Sequence, residues 1–172
     1  GDSAGGNLTL ALIAWARDAG LRQADAAIAL SPGTDGTMGS PSLRGNIDTD
    51  PMLGPMFGRV ARLPRSLALW LAWLNNRARP NDPELSPLHG ELRDLPPTLI
   101  HASLSEMLLD DAVRYANKAR AAGSPVTLQT WPHLLHVWHL FVADEVPEAQ
   151  HAFDEIGIWV ASTVGSPATA AA

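Results

Sequence analysis

Gly1-Asp2-Ser3-Ala4-Gly5-Gly6-Asn7 opens the chain, and a helix-forming run follows at once. The pattern G-x-S-x-G marks a serine on a sharp turn between a strand and a helix, with its hydroxyl raised clear of the backbone. Such a turn is sterically tight, and glycine at positions 1 and 5 removes the clashes that bulkier neighbours would make. The helix beneath the serine presents unpaired N–H groups, and that of Ala4 can face an oxyanion. By itself the five-residue pattern also fits a plain glycine-rich loop capping a helix. It does not fit a phosphate loop, because no lysine follows the glycines.

Outward from this turn the chain alternates. Leu8, Leu12 and Trp15 predict a helix over residues 7–18, with Gly20 as its stop. The apolar run 24–30, ended by Ser31-Pro32, reads as a strand buried on both faces. Residues 33–65 are rich in Gly, Pro, Ser, Thr and Asp and read as a long irregular stretch, a length that implies function. An apolar helix over 66–77 carries Trp70, Trp73 and Leu74, and residues 81–95 return to loop. Pro96-Pro97 introduces a second buried strand over 98–103, followed by an amphipathic helix over 106–122 that Gly123 stops. A third strand over 126–131 and a last helix over 147–164, with Phe153, Ile156 and Val160 on one side, complete the series. The small residues of 165–172 predict a frayed tail. Strands alternating with helices predict an α/β fold with a mostly parallel sheet and helical crossovers. No internal repeat or linker divides residues 1–164, which read as part of one domain.

Composition closes off other classes. The net charge of −6 and pI of about 5.4, with twelve Lys and Arg in no contiguous run, argue against nucleic acid as a partner. The absence of cysteine rules out disulfides and thiolate zinc sites. No apolar stretch reaches the roughly 18 residues of a membrane span. No targeting segment is legible at a start on GDSAGG; the compartment stays open, with the cytoplasm favoured.

The extended elbow GDSAGGNLT resembles that of the bacterial hormone-sensitive lipase family of the α/β-hydrolase superfamily. The likeness continues through LSPGTDGTMGSPS (30–42), DPML (50–53), DPELSPLHGELRDLPPTLIH (82–101), EMLLDDA (106–112) and WPHLLHVWHLF (131–141). The resemblance implies a serine carboxylic ester hydrolase, acting on short- to medium-chain acyl esters through an acyl-serine intermediate. It implies no metal or organic cofactor, a small-molecule ester as partner, and a homodimer through the last strand. It further implies that this chain is the C-terminal portion of the fold. The strand entering the elbow, a His-Gly-Gly-Gly loop and a helical cap then lie before Gly1. On that reading the 172 residues alone are expected to be poorly soluble and nearly inactive. The alternative is a non-catalytic small-molecule receptor on the same scaffold. Such receptors have lost the catalytic histidine, whereas His136 is retained.

A serine hydroxyl needs a neighbouring imidazole to take its proton and a carboxylate to orient that imidazole. Among six histidines the resemblance selects His136, in the loop after the third strand. His133 and His139 compete from the same loop, and His133 stands where the family often has glycine. His101 falls in a strand and is expected to pack there; His89 and His151 read as surface residues. Setting EMLLDDA against the family's Asp-Pro-Leu-x-Asp puts Glu106 at the triad acid. Asp110 is the runner-up, although Asp110 and Asp111 lie a turn further into the helix and should point away. The bland reading of Glu106 is a first-turn carboxylate favoured by the helix dipole. Trp70, Trp73 and Trp138 are expected in the core rather than lining a pocket.

Overall fold

The fold rests on a computed structural model that describes residues 1–141 and 145–164. The expected tail, 165–172, lies outside the described residues. Helix α1 (Ala4–Asp18) springs directly from Ser3, three residues earlier than the apolar spacing suggests. Strand β1 (Ala27–Leu30) is shorter than the apolar run, because sheet pairing begins only where the Ala27 N–H reaches Pro97 O at 2.8 Å. Strands β2 (Thr98–Ser103) and β3 (Val126–Trp131) follow the expected bounds and pair in parallel, in the order β1-β2-β3. Asp2 adds a parallel bridge to Leu30 on the far side of β1. Residues 1–2 therefore continue the sheet, and Ser3 sits at its C-terminal edge.

Alternation along each strand sends successive side chains to opposite faces. Ile100 and Ala102 join Ala27 and Ala29 on one face, under Leu10 and Ile13 of α1 and Tyr115 of α5 (Leu109–Ala121). Burying a side chain of this size stabilises by about 1.5–3 kcal/mol, and Ile100→Ala would cost about 2–5 kcal/mol. The other face shows Thr127 and Gln129 to α6 (Pro147–Val164). There Trp159 Nε1 donates to Thr127 Oγ1 at 3.3 Å, and Gln129 Nε2 to Glu155 at 3.4 Å. Trp138 is fully buried beneath this helix with Leu134, Ala149 and Ala152.

The irregular stretch 33–65 is not structureless. It contains α2 (Ser42–Gly45) and α3 (Leu53–Ala61), and α4 (Arg65–Asn76) begins at its end. Asp50 starts α3 by accepting the N–H groups of Met52 at 3.0 Å and Leu53 at 2.8 Å, a side-chain cap that overrides the low helix propensity of Gly54, Pro55 and Gly58. Helix α5 begins at Leu109, not at 106, because residues 104–108 form a turn held by side chains from this stretch. Among the described residues, no helix is long and apolar enough to cross a membrane.

Candidate active site

Parallel strands deliver their following loops to one edge, the usual place for a site in an open α/β sheet. Ser3 follows the segment paired to β1, Ser31 follows β1, Glu106 lies in the turn after β2, and His136 in the loop after β3. Ser3 has φ 48°, a left-handed value that few non-glycine residues adopt. It is locked there by its own N–H donating to Leu30 O at 2.8 Å and by Leu30 N–H donating to Gly1 O at 2.9 Å. A Cβ at Gly1 would collide with the carbonyl of Gly5, so glycine is required there. The expectation for Gly5 differs in outcome: a Cβ there meets nothing within 4 Å, whereas one at Gly6 would press on Pro32 Cβ at 3.1 Å. The close helix-to-strand packing thus falls on Gly1 and Gly6.

His136 Nε2 lies 2.9 Å from Ser3 Oγ, and His136 Nδ1 lies 2.8 Å from Glu106 Oε2. His136 is 2% exposed and Glu106 fully buried. Glu106 is not a first-turn helix carboxylate, since the helix starts three residues later. Its second oxygen, Oε1, accepts the Ser103 N–H at 3.0 Å. Ser103 Oγ donates to the carbonyl of Leu134, two residues before His136. The tip of β2 therefore holds the acid and the histidine loop together. Val137 has φ 54° and Ser31 φ 49°, and the Val137 N–H donates to Ser31 Oγ at 3.3 Å. Left-handed angles at a β-branched residue and at two serines concentrate backbone strain at this edge.

The turn bearing Glu106 is clamped from the α2–α3 segment. Asn46 Nδ2 donates to Leu104 O and Glu106 O, Thr49 Oγ1 donates to Ser105 O, and Asp50 Oδ2 accepts the Met107 N–H at 2.8 Å. Asp110 is tied elsewhere: it accepts the Ser42 N–H at 2.7 Å and returns its own N–H to Ser42 Oγ at 2.9 Å. Asp111 turns away too, accepting the N–H groups of Thr34 at 2.6 Å and Asp35 at 2.9 Å. Burial raises the Asp111 carboxyl above its ordinary range. Burial also pushes Asp35 up, but hydrogen bonds from Thr37, His89 and Arg114 outweigh it and hold that carboxyl well below the usual range.

The other histidines separate cleanly. His139 is buried, with Nε2 3.1 Å from His101 Nδ1, and is not directed at Ser3. Burial pushes His101 down to about 4. It pushes His139 to about 3, assisted by repulsion from His101. His133 is exposed at φ 57°, an angle glycine adopts without strain and histidine tolerates. His89 pairs with Asp35 at 2.9 Å, and His151 lies 3.7 Å from Glu155, both with exposed rings. Ala4 opens α1, and its N–H belongs to the first turn, where no intrahelical acceptor exists. Beside Ser3 a cavity of about 260 Å³ is walled mainly by Met38, Leu43, Leu53, Phe57, Val60 and Met107. Trp138 is in the core as expected, while Trp70 and Trp73 are about half exposed and line no part of it.

A family profile described as alpha/beta hydrolase fold matches residues 1–140. The chain is 34% identical over 165 residues to an acetyl-hydrolase of Streptomyces hygroscopicus, covering 96% of this chain and 52% of that protein. It is 38% identical over 164 residues to the carboxylesterase/phospholipase LipF of Mycobacterium tuberculosis, covering 93% and 42%. The crystal structure of an esterase from the bacterial hormone-sensitive lipase family superposes with a TM-score of 0.79 at 32% identity, covering 96% of this chain and 52% of that one. The chain belongs to the α/β-hydrolase fold family, within its hormone-sensitive lipase group. It spans about half the length of the curated relatives it matches.

Proposed function

We propose that the protein is a serine carboxylic ester hydrolase in which residues 1–164 supply the C-terminal part of a single α/β-hydrolase domain. The observation that carries this is the unbroken hydrogen-bond chain from Ser3 Oγ through His136 to Glu106, at 2.9 and 2.8 Å. Ser3 Oγ attacks the acyl carbonyl while His136 Nε2 takes its proton, and the buried Glu106 carboxylate stabilises the imidazolium that forms. The oxyanion accepts a hydrogen bond from the Ala4 N–H. The tetrahedral intermediate collapses, the alcohol leaves with the proton from His136, and an acyl-serine remains. Water activated by the same imidazole then releases the acid. Neither a metal nor an organic cofactor is required by this route.

The apolar cavity beside Ser3 suits a short- to medium-chain acyl group, and the relatives named acetyl-hydrolase and carboxylesterase agree with that class. The test is labelling of the full-length protein with a fluorophosphonate, followed by peptide mapping, alongside hydrolysis of a p-nitrophenyl ester series. Adduct on Ser3, abolished in His136→Ala, supports the proposal. Ester turnover that survives Ser3→Ala would overturn it.

A further inference from the structure

Helices α3 and α4 are packed with small residues and display large ones. In α3 the inward positions are Gly54, Gly58 and Ala61, and a Cβ on Gly58 would stand 2.8 Å from Ile47 Cγ2. Its Met56, Phe57 and Val60 are between 43% and 62% exposed. In α4, Ala68 is buried, whereas Leu67, Trp70, Leu71 and Leu74, at i, i+3, i+4, i+7 spacing, are between 43% and 55% exposed. A helix of a soluble domain normally turns such a stripe toward the core.

Charge is segregated with it. Residues 51–81 hold five arginines (Arg59, Arg62, Arg65, Arg77 and Arg79) and no acidic residue. That segment carries +5 in a chain of net −6, so the remainder carries −11. All five arginines are exposed. Phe57 and Val60 belong both to this surface and to the wall of the Ser3 cavity, so the cavity mouth lies within it.

We propose that α3 and α4 form a patch that docks on an anionic phospholipid bilayer, with the mouth of the Ser3 cavity held at the lipid surface. Tryptophan and leucine side chains settle at the boundary of headgroups and acyl chains, and the surrounding arginines meet lipid phosphates. The acidic remainder is repelled by the same surface, which fixes the orientation. A second copy is a poorer occupant, because two like patches would bring their +5 belts together. That the docked cavity receives an ester rests on the hydrolase reading above; the docking itself does not.

The experiment is co-sedimentation of the full-length protein with vesicles of phosphatidylglycerol and phosphatidylcholine, or of phosphatidylcholine alone, at low and high salt. Binding should require phosphatidylglycerol and fall with salt. The variant R59Q/R77Q/R79Q avoids Arg62 and Arg65, which contact Asp48 and Thr37. It should weaken partitioning on the order of a hundredfold, about fivefold for each charge. W70S/W73S should abolish binding and leave turnover of a water-soluble ester unchanged. Absence of binding, equal binding by both variants, or a dimer that W70S/W73S dissociates would overturn the proposal. Sedimentation does not depend on turnover, so failure of the hydrolase reading leaves this result standing.

Discussion

Ser103 holds Glu106 by a backbone N–H bond of 3.0 Å to Oε1, leaving Oε2 to face His136 Nδ1 at 2.8 Å. A glutamate is one methylene longer than the aspartate usual in the family, and the turn after β2 accommodates the extra length by this second bond. With one oxygen pinned, the other has a single direction available.

Two carboxylates are close in sequence, and substitution separates them. Glu106→Gln keeps shape but cannot offset the imidazolium charge and invites the wrong tautomer. It should lower kcat/KM of the full-length protein on the order of 10³–10⁴-fold. Asp110→Asn loses charge only at the Ser42 contact and should leave kcat/KM within about threefold, since helix-terminus charge effects are small. Steady-state kinetics on one p-nitrophenyl ester decide it. Comparable losses in both variants would remove Glu106 from its assigned role.

The Ser103 hydroxyl makes a different contribution from its N–H. Ser103→Ala preserves the bond to Glu106 but frees the Leu134 carbonyl and leaves the Ser105 N–H without its acceptor. Loss of stability of about 1–3 kcal/mol is expected from a buried group left unpaired, and kcat should fall more than KM rises as the His136 loop loosens. Urea unfolding and kinetics measured on one preparation test this. A rise in KM with kcat intact would assign Ser103 to binding instead.

Asp50 joins two structural tasks in one side chain. Its Oδ1 caps α3 and its Oδ2 holds the Met107 N–H beside Glu106. Asp50→Ala should cost about 2–4 kcal/mol, because hydrogen bonds to a charged acceptor are lost while buried N–H groups remain. Denaturant midpoints at neutral pH provide the measurement, and a loss below about 0.5 kcal/mol would show that the clamp is idle.

Much of the fold is legible in the chain because it is local. The βα alternation follows from apolar runs punctuated by Gly and Pro, and those runs become β1, β2, β3 and the helices around them. The order of Ser3, Glu106 and His136 along the chain is legible as well, through motifs on either side of each. What escapes is long-range. Helix α3 depends on Asp50 and on burial of Gly54 and Gly58 against Ile47, which propensity alone reads as loop. Asn46, Thr49 and Ser103 are ordinary polar residues whose partners lie 31 to 60 positions away. An Asp-Pro pair two residues before an apolar run is the one local signal for the α3 cap. The pairing of His101 with His139 spans 38 residues and leaves no trace in either neighbourhood.

That buried pair sets the acid limit of the fold. Both rings have folded pKa values depressed by burial, to about 4 for His101 and about 3 for His139, from an ordinary 6.5. Below pH 6.5 the unfolded chain takes up protons that the folded protein refuses, so stability falls as pH drops from 6.5 toward 4. Asp35, held low, loses its contribution only further down, beneath 3.8. Asp111, held high, has the opposite sign: its protonation relieves the fold as pH falls. The decline between pH 6.5 and 4.5 is therefore dominated by the two imidazoles and should amount to a few kcal/mol. His139→Gln keeps a polar group opposite His101 and removes one titrating ring, so its stability should decline less steeply with acid. Urea unfolding of the full-length protein at steps between pH 7 and 4.5 checks the slope. Parallel curves for the two proteins would place the acid sensitivity elsewhere, whereas a flatter curve for His139→Gln assigns it to the ring pair beneath Trp138.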